Sequence, residues 1–314
     1  MHLLIPFASA LSAEALQVMP DLSLPHLARL LCRLDRVARL EGDAYSLSAP
    51  HERALGQAWG WQGADGTLPF AAQAAVNDGI EVGDAAWGLL TPAHWHVGRE
   101  HITMAPPEAL ELDAEASRSA FEAVRDLLES EGYRCAWGAP ERWYAAHERF
   151  SDLPCASLDR VVGRNVDLWL GSADPRLAPV RRLQSEVQLL LYPHALNAAR
   201  EARGALTLNS FWLSGCGRHQ PTGPATVTVE ASLRAPLLDG DIAAWADAWR
   251  ALDAGPLAAL CQRLDSADEG DAALALTLCG ERHAQRFEAR PRSLWQRLQA
   301  RRRRPDIPAL LAAL

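Results

Sequence analysis

Helical and strand-like patterns alternate along this sequence from end to end. Residues 21–40 carry leucines on one stripe and predict a helix. Residues 85–104 predict two strands around a turn at Thr91–Pro92. Asp113 is a suitable N-cap for a helix over 114–130. This alternation predicts an α/β fold in which helices flank a mixed sheet.

Charge and residue usage narrow the function classes. The chain has 314 residues and a formal net charge of -8, so nucleic acid is not an expected partner. All 31 basic residues are arginine, which removes Schiff-base chemistry and the lysine of a P-loop. No apolar run reaches the roughly 18 residues of a membrane helix. The six cysteines are scattered, which predicts free thiols and a cytoplasmic location. The run Arg301–Arg304 is expected to form the C-terminal end of a helix.

A group of polar residues and glycines near the middle of the chain is the first candidate site. Asn197 and Arg200 are three residues apart, so they share one face of a short helix, and Asn209 follows after a tight link. An amide and a guanidinium that converge there suit an anionic ligand. Gly215 and Gly217 would let backbone N–H groups approach it. The alternative is that the amide only pins a strand turn, and the residues alone leave both interpretations open.

Three histidines form the second candidate site. His94 and His96 would point to one face of a strand and, with His101, could hold a metal such as Mn, Mg or Zn. The alternative is that they pack beside Trp95 and bond to the backbone. The spacing matches no paired-ligand motif, so we expect no metal here.

One long stretch resembles a known family. The run "RLQSEVQLLLYPHALNAAREARGALTLNSFWLSGCGRHQP" is similar to the archaeal-type cofactor-independent phosphoglycerate mutases of the alkaline phosphatase superfamily. In them a helix with an Asn and an Arg precedes an Asn-x-x-Trp strand and a Gly-x-Gly. The matching residues are Asn197, Arg200, Asn209, Trp212, Gly215 and Gly217.

Weaker similarity extends toward the N-terminus. Arg134 resembles an arginine that the family brings to its substrate lobe. The segment "SLSAPHERALG" resembles the nucleophile loop, with Ser48 at the place of the catalytic serine and His51 at that of a nearby histidine. The chain also resembles a narrower group, proteobacterial phosphoglycerate-mutase-like proteins described as regulatory.

The resemblance implies an alkaline-phosphatase-like mixed sheet flanked by helices, with an inserted smaller α+β lobe. The implied domains are a core from 1–87 and 213–314, the second part shortened, and a substrate-lobe-like insertion at 88–212.

Departures from the family concern its two-metal centre, which activates the serine. The first strand, "LLIPFAS", lacks the usual Asp-Gly pair, and Ala49 stands where an acid is usual. We therefore expect that two-metal phosphotransfer is lost, and that an unactivated Ser48 is a poor nucleophile. The leading hypothesis is a pseudoenzyme that binds a small anionic or phosphorylated ligand in a regulatory role, its protein partner unknown. The alternatives are an active mutase or phosphatase with a rebuilt site, and a structural or interaction protein.

Overall fold

A computed structural model describes residues 1–170, 174–266, 274–290 and 304–314. The predicted helix that ends in the run Arg301–Arg304 therefore lies outside the described residues, Arg304 excepted. Within these ranges no helix combines the length and the apolar character that crossing a membrane requires.

The strands, in chain order, are β1 (His2–Ile5), β2 (Leu34–Leu40), β3 (Ala86–Ala93), β4 (Trp95–Val97), β5 (Ile102–Met104), β6 (Arg134–Ala139), β7 (Arg142–Ala146), β8 (Ser210–Arg218), β9 (Val227–Val229), β10 (Ala275–Cys279) and β11 (Ala284–Ala289). The α-helices are α1 (Ala13–Val18), α2 (Pro25–Arg33), α3 (Pro50–Trp59), α4 (Phe70–Asn77), α5 (Ala114–Ser130), α6 (Leu158–Val161), α7 (Asp167–Leu170), α8 (Ala178–Leu191), α9 (Ala195–Ala202), α10 (Arg234–Leu238), α11 (Ile242–Leu252), α12 (Ala258–Ser266) and α13 (Ile307–Ala312). Helices and strands alternate along the chain, which confirms the α/β class.

The chain divides into two compact units. Unit 1 consists of residues 1–45, 49–60 and 222–314, and unit 2 consists of 46–48 and 61–221. The stretch predicted as an inserted lobe, 88–212, lies within unit 2.

Unit 1 is built on a mixed five-stranded sheet in the order β2-β11-β10-β1-β9. β1 runs parallel to β10 and β9, whereas β11 pairs antiparallel with β10 and β2. Trp245 and Trp249 of α11 are fully buried in the core of this unit, with ring centroids 6.4 Å apart. Their indole N–H groups donate to the carbonyls of Phe7 and Ala8, so each ring buries its apolar body with its polar atom satisfied.

Unit 2 is built on an antiparallel sheet in the order β6-β7-β3-β8, with β4 and β5 as a separate pair. α5 packs beside this sheet and begins as the sequence predicts, since Asp113 Oδ1 accepts the N–H of Ala116 at 2.8 Å. The hydroxyl of Ser117, one turn further on, accepts the indole N–H groups of Trp137 and Trp143. A single buried oxygen thereby ties α5 to both β6 and β7.

Two predictions of local structure are wrong. The helix predicted over 21–40 ends at Arg33, and Leu34–Leu40 forms β2, which pairs along its length with β11. Helical propensity is a weak preference that such sheet pairing overrides. The predicted turn at Pro92 lies inside β3 instead. Pro92 pairs with Phe211 of β8, while β7 pairs only as far as Leu90, so no β7 carbonyl lies opposite the missing N–H.

Candidate functional site

Unit 2 contains a cavity of about 550 Å³, a size typical of sites for small molecules. Its walls come from the loop before α4, the segment after the 3₁₀ turn at 148–150, and the end of β8. The lining residues are Gln62, Gly63, Ala64, Asp65, Thr67, Pro69, Ser151, Asp152, Pro154, Arg176, Gly217, Arg218, His219 and Gln220. Polar and charged side chains predominate, so the cavity suits a hydrophilic ligand.

Two arginines with fixed geometry line the cavity. Arg176 binds Asp174 through Nε and Nη2, at 3.0 and 2.6 Å, and donates through Nη1 to the carbonyl of Asp152. Arg218 binds both carboxylate oxygens of Glu148, at 2.7 and 2.6 Å, and also donates to the carbonyl of Asp84. A guanidinium carries five N–H donors, so each arginine keeps a donor beyond these bonds.

Two hydrogen bonds between the Gln220 side chain and the backbone of Gln62 fix the loop that follows β8. Gln220 Oε1 accepts the N–H of Gln62 at 2.9 Å, and its Nε2 donates to the carbonyl of the same residue at 2.7 Å. His219, between Arg218 and Gln220, has its Nε2 3.3 Å from Gln73 Oε1. The loop thereby holds an imidazole beside a guanidinium at the cavity wall.

Ser48 is held by the same segment of unit 2 that lines the cavity. Asp65 accepts the N–H groups of Leu47 and Ser48 at 2.6 and 2.8 Å. The Ser48 hydroxyl in turn accepts the N–H of Gly66 at 2.8 Å, and only 3% of the residue is exposed. A buried hydroxyl bonded in this way braces a loop. Ser48 does not line the cavity, whereas its partner Asp65 does.

The two glycines of the Gly-x-Gly let α4 approach β8. Gly215 has a φ of 63°, and a Cβ there would lie 2.7 Å from the backbone nitrogen of Ala71. A Cβ on Gly217 would lie 3.0 Å from the Cβ of Pro69. The register between β3 and β8 shifts at this point, as at a β-bulge with a left-handed glycine. Of the two, Gly217 also lines the cavity.

Asn197 and Arg200 lie together on one face of α9, as their spacing predicts, and both are buried. The Asn197 amide donates to the carbonyls of Leu191 and Leu208 and accepts the N–H of Leu208, so its bonds join the end of α8 to the chain after α9. Neither residue lines the cavity of unit 2.

Arg200 is only 1% exposed, and its partners are backbone carbonyls. Nε donates to Leu206 at 2.5 Å and Nη2 donates to Leu110. Nη1 is buried and has no hydrogen-bond partner among the described residues. Burial lowers the pKa of the guanidinium from its ordinary value, and nearby Arg203 adds to this shift. The residue therefore acts as a buried brace between α9 and the segment before α5.

The remaining residues named by the resemblance lie elsewhere. Asn209 bonds to the backbone of Trp95 through both ends of its amide. Arg134 is exposed at the start of β6, with its guanidinium 4.9 Å from the centroid of the Trp87 ring. His51 belongs to unit 1, where its ring centroid lies 5.6 Å from that of Phe7.

The histidine cluster forms only in part. His94 Nδ1 lies 2.6 Å from the carbonyl of Thr207, and its Nε2 lies 3.2 Å from His96 Nδ1. Burial lowers the pKa of His94, so its ring is neutral near pH 7. Within the described ranges, no three His, Cys, Asp or Glu side chains, His101 included, form a group that could hold a metal ion.

The chain matches no described protein family and no curated protein sequence. Solved structures that are similar to it include the following two. The PH0037 protein from Pyrococcus horikoshii is 13% identical with a TM-score of 0.47, and the match covers 92% of this chain and 87% of that one. A cofactor-independent phosphoglycerate mutase from Thermoplasma acidophilum is also 13% identical, with a TM-score of 0.32 and coverage of 91% and 89%. Likenesses at these scores carry no conclusion about chemistry.

The sequence analysis missed most of the cavity. Arg176, Arg218 and His219 line it, and none of them was singled out from the sequence. The one signal was the position of Arg218 directly after the Gly-x-Gly, because a strand that ends in glycines commonly approaches a ligand there. Nothing in the sequence places Arg176 beside it.

Proposed function

We propose that the protein is a phosphoglycerate-mutase-like protein that binds a small anionic ligand, of the class of phosphorylated three-carbon acids, in the cavity of unit 2. One observation carries the proposal: Arg176, Arg218 and His219 converge on one cavity of about 550 Å³. Arginine suits carboxylate and phosphate oxygens because its planar fork donates two parallel hydrogen bonds. The resemblance around Gly217, which lines this cavity, points to the same ligand class.

The proposal includes a loss of phosphotransfer and a regulatory role in the cytoplasm. The Ser48 hydroxyl is buried, accepts the N–H of Gly66 and does not line the cavity, so it lacks the exposure that a nucleophile needs. In this proposal the bound ligand acts as a signal rather than as a substrate.

Thermal unfolding with inorganic phosphate, 3-phosphoglycerate and uncharged glycerol tests the binding. We expect the first two to raise the melting temperature and glycerol to leave it unchanged. Arg218→Gln and Arg176→Gln should reduce the shift. Arg182→Gln is the matched control, because Arg182 is also an ion-paired arginine but lies on α8 and does not line the cavity. An equal shift in all three variants, or no shift in the unaltered protein, would refute the proposed site.

A mutase assay with added Mn²⁺ or Mg²⁺ tests the loss of activity. We expect no interconversion of 3-phosphoglycerate and 2-phosphoglycerate. Turnover that disappears in Ser48→Ala would establish the alternative, an active metal-dependent enzyme.

A further inference from the structure

Two cysteines of unit 2 lie side by side in its interior. The Sγ atoms of Cys155 and Cys216 are 3.6 Å apart, and both residues are buried, at 6% and 0% exposure. Both are free thiols in the structure. Two sulfurs at this separation need to approach by roughly 1.5 Å to reach the S–S bond length of about 2.05 Å.

Each cysteine is the chain neighbour of a residue that lines the large cavity. Cys155 directly follows Pro154, a lining residue, and its N–H donates to the carbonyl of Gly66 at 2.9 Å. Cys216 lies in the bulge of β8, directly before the lining residue Gly217. The pair therefore connects the segment at 151–154 to the end of β8, which are two walls of one cavity.

Of the two cysteines, Cys155 has the more open surroundings. It lines a second cavity of about 20 Å³, whose walls include Trp169 and Gln184, and a space of that size holds about one water molecule. Cys155 is therefore the cysteine of the pair that a small oxidant meets first. Complete burial and the neighbouring Cys155 raise the pKa of the Cys216 thiol well above its ordinary value, so Cys216 is not the first sulfur to react.

We propose that Cys155 and Cys216 form a peroxide-sensitive dithiol switch behind two residues, Pro154 and Gly217, that line the anion cavity. The Cys155 thiolate attacks one oxygen of hydrogen peroxide, the O–O bond breaks, and hydroxide leaves with its electron pair. The Cys216 sulfur then attacks the sulfenic sulfur of Cys155 and displaces its hydroxyl as water. In total, two thiols and one peroxide give one disulfide and two waters, and a thiol reductant reverses the change.

The disulfide draws the two walls together. Gly215 and Gly217 flank Cys216, and a backbone with glycine on both sides has more conformations open to it as the sulfur moves. Moving Pro154 toward Gly217 narrows the cavity, and the oxidised protein binds anions more weakly. This second step rests on the proposed function, whereas the formation of the disulfide does not.

Peptide mapping tests the disulfide directly. The chain has no lysine, so trypsin releases Cys155 within residues 150–160 and Cys216 within 204–218, one cysteine in each peptide. After treatment with stoichiometric hydrogen peroxide and alkylation without reductant, we expect these peptides to appear joined. They should separate after dithiothreitol. Cys279→Ala, which removes another fully buried thiol, is the control and should keep the joined peptide, whereas Cys155→Ala should lose it. Two separately alkylated peptides after peroxide treatment would overturn the proposal.

Thermal shift with inorganic phosphate tests the effect on the cavity. We expect the shift to be at least halved in the oxidised protein and restored by dithiothreitol, and to be insensitive to peroxide in Cys155→Ala. If the joined peptides form but phosphate stabilises both forms equally, the disulfide does not control the cavity and the switch is refuted. If phosphate does not stabilise the reduced protein, the anion site itself is refuted, and the peptide map still decides the disulfide.

Discussion

The side-chain amide of Asn209 forms two hydrogen bonds with the backbone of Trp95. Its Oδ1 accepts the N–H of Trp95 at 2.8 Å, and its Nδ2 donates to the carbonyl of the same residue at 3.0 Å. Asn209 directly precedes β8 and Trp95 begins β4, so this pairing fixes where the two strands start relative to each other. Because the nitrogen and the oxygen of this amide both form hydrogen bonds to the backbone, we expect Asn209 to contribute to the stability of the protein.

We expect Asn209→Ala to lower the free energy of unfolding by about 1–3 kcal/mol, because it leaves the N–H and carbonyl of Trp95 without their partner. Urea denaturation measures the change. Asn77→Ala is the control, since Asn77 is exposed and accepts one hydrogen bond from Gln73, and it should change stability by less than about 0.5 kcal/mol. A phosphate-induced thermal shift that disappears in Asn209→Ala without any loss of stability would show that the amide binds a ligand instead.

Arg200→Ala should destabilise the protein without any ligand present, by about 3 kcal/mol, because two buried carbonyls lose a charged donor. Arg200→Lys keeps the charge but has no planar fork, so an intermediate loss is expected. Urea denaturation of both variants, with and without phosphate, measures this. The increase in the free energy of unfolding that phosphate causes should be the same in each variant as in the unaltered protein. An increment that vanishes in Arg200→Ala would place the anion at this arginine.

Stability should fall in mild acid because of His2. Its ring is buried, with Nε2 2.7 Å from the hydroxyl of Thr277, and Nδ1 has no partner among the described residues. Burial, with Arg286 and the amino terminus adding to it, lowers the pKa from 6.5 to about 4. Between these two values the unfolded chain binds a proton that the folded chain does not, so stability present above pH 6.5 is lost as the pH falls to 4.

The shift corresponds to about 3 kcal/mol at most. Urea denaturation across this pH range should show that His2→Gln removes that part of the slope. His101→Gln, in which an exposed ring is replaced, is the control. A slope that is the same in His2→Gln and in the unaltered protein would contradict the assignment.

Features set by neighbours in the chain were predictable from the sequence. α5 begins at the residue after Asp113, as predicted, because a cap acts within one turn. Features set by distant pairing were not. Leu34–Leu40 reads as a continuation of α2 until β11 is present beside it.

The cavity could not be predicted, because its charged residues are brought together by contacts between segments that are far apart in the sequence. Arg176 and Arg218 are separated by more than forty residues and are held by Asp174 and Glu148, so no local pattern marks them as neighbours. The resemblance selected residues by identity, and several of them, such as Asn197, turn out to bond to the backbone. An asparagine that braces a turn and one that holds a ligand have the same sequence signature.

Ser48→Ala should weaken folding but leave anion binding intact. The change leaves the buried N–H of Gly66 without its acceptor, so we expect a loss of about 1–3 kcal/mol in the free energy of unfolding. Ser130→Ala removes an exposed hydroxyl that donates to the carbonyl of Leu127, and it should have a smaller effect. Urea denaturation and the phosphate thermal shift together check this. Unchanged stability would contradict the bracing role of Ser48.

Comparing Gly215→Ala with Gly204→Ala separates two costs of adding a Cβ. One is the backbone strain of the left-handed region, and the other is steric overlap with a neighbouring atom. Gly215 has a φ of 63° and Gly204 a φ of 73°, so a Cβ imposes similar backbone strain at both, about 1–2 kcal/mol. At Gly204 nothing lies within 4 Å of that Cβ, whereas at Gly215 the nitrogen of Ala71 lies 2.7 Å away.

The atom that a Cβ at Gly215 would overlap is a backbone nitrogen at the start of α4. Backbone cannot relieve the overlap by changing rotamer, as a flexible side chain can. Either α4 moves away from β8 or the bulge unfolds, and overpacking of this kind costs a further 1–3 kcal/mol or so. We therefore expect Gly215→Ala to lose about twice as much unfolding free energy as Gly204→Ala in urea. Since α4 follows the lining residue Pro69, the phosphate thermal shift should also fall in Gly215→Ala and persist in Gly204→Ala. Equal losses of stability in the two variants would mean that α4 does not press on β8 at this glycine.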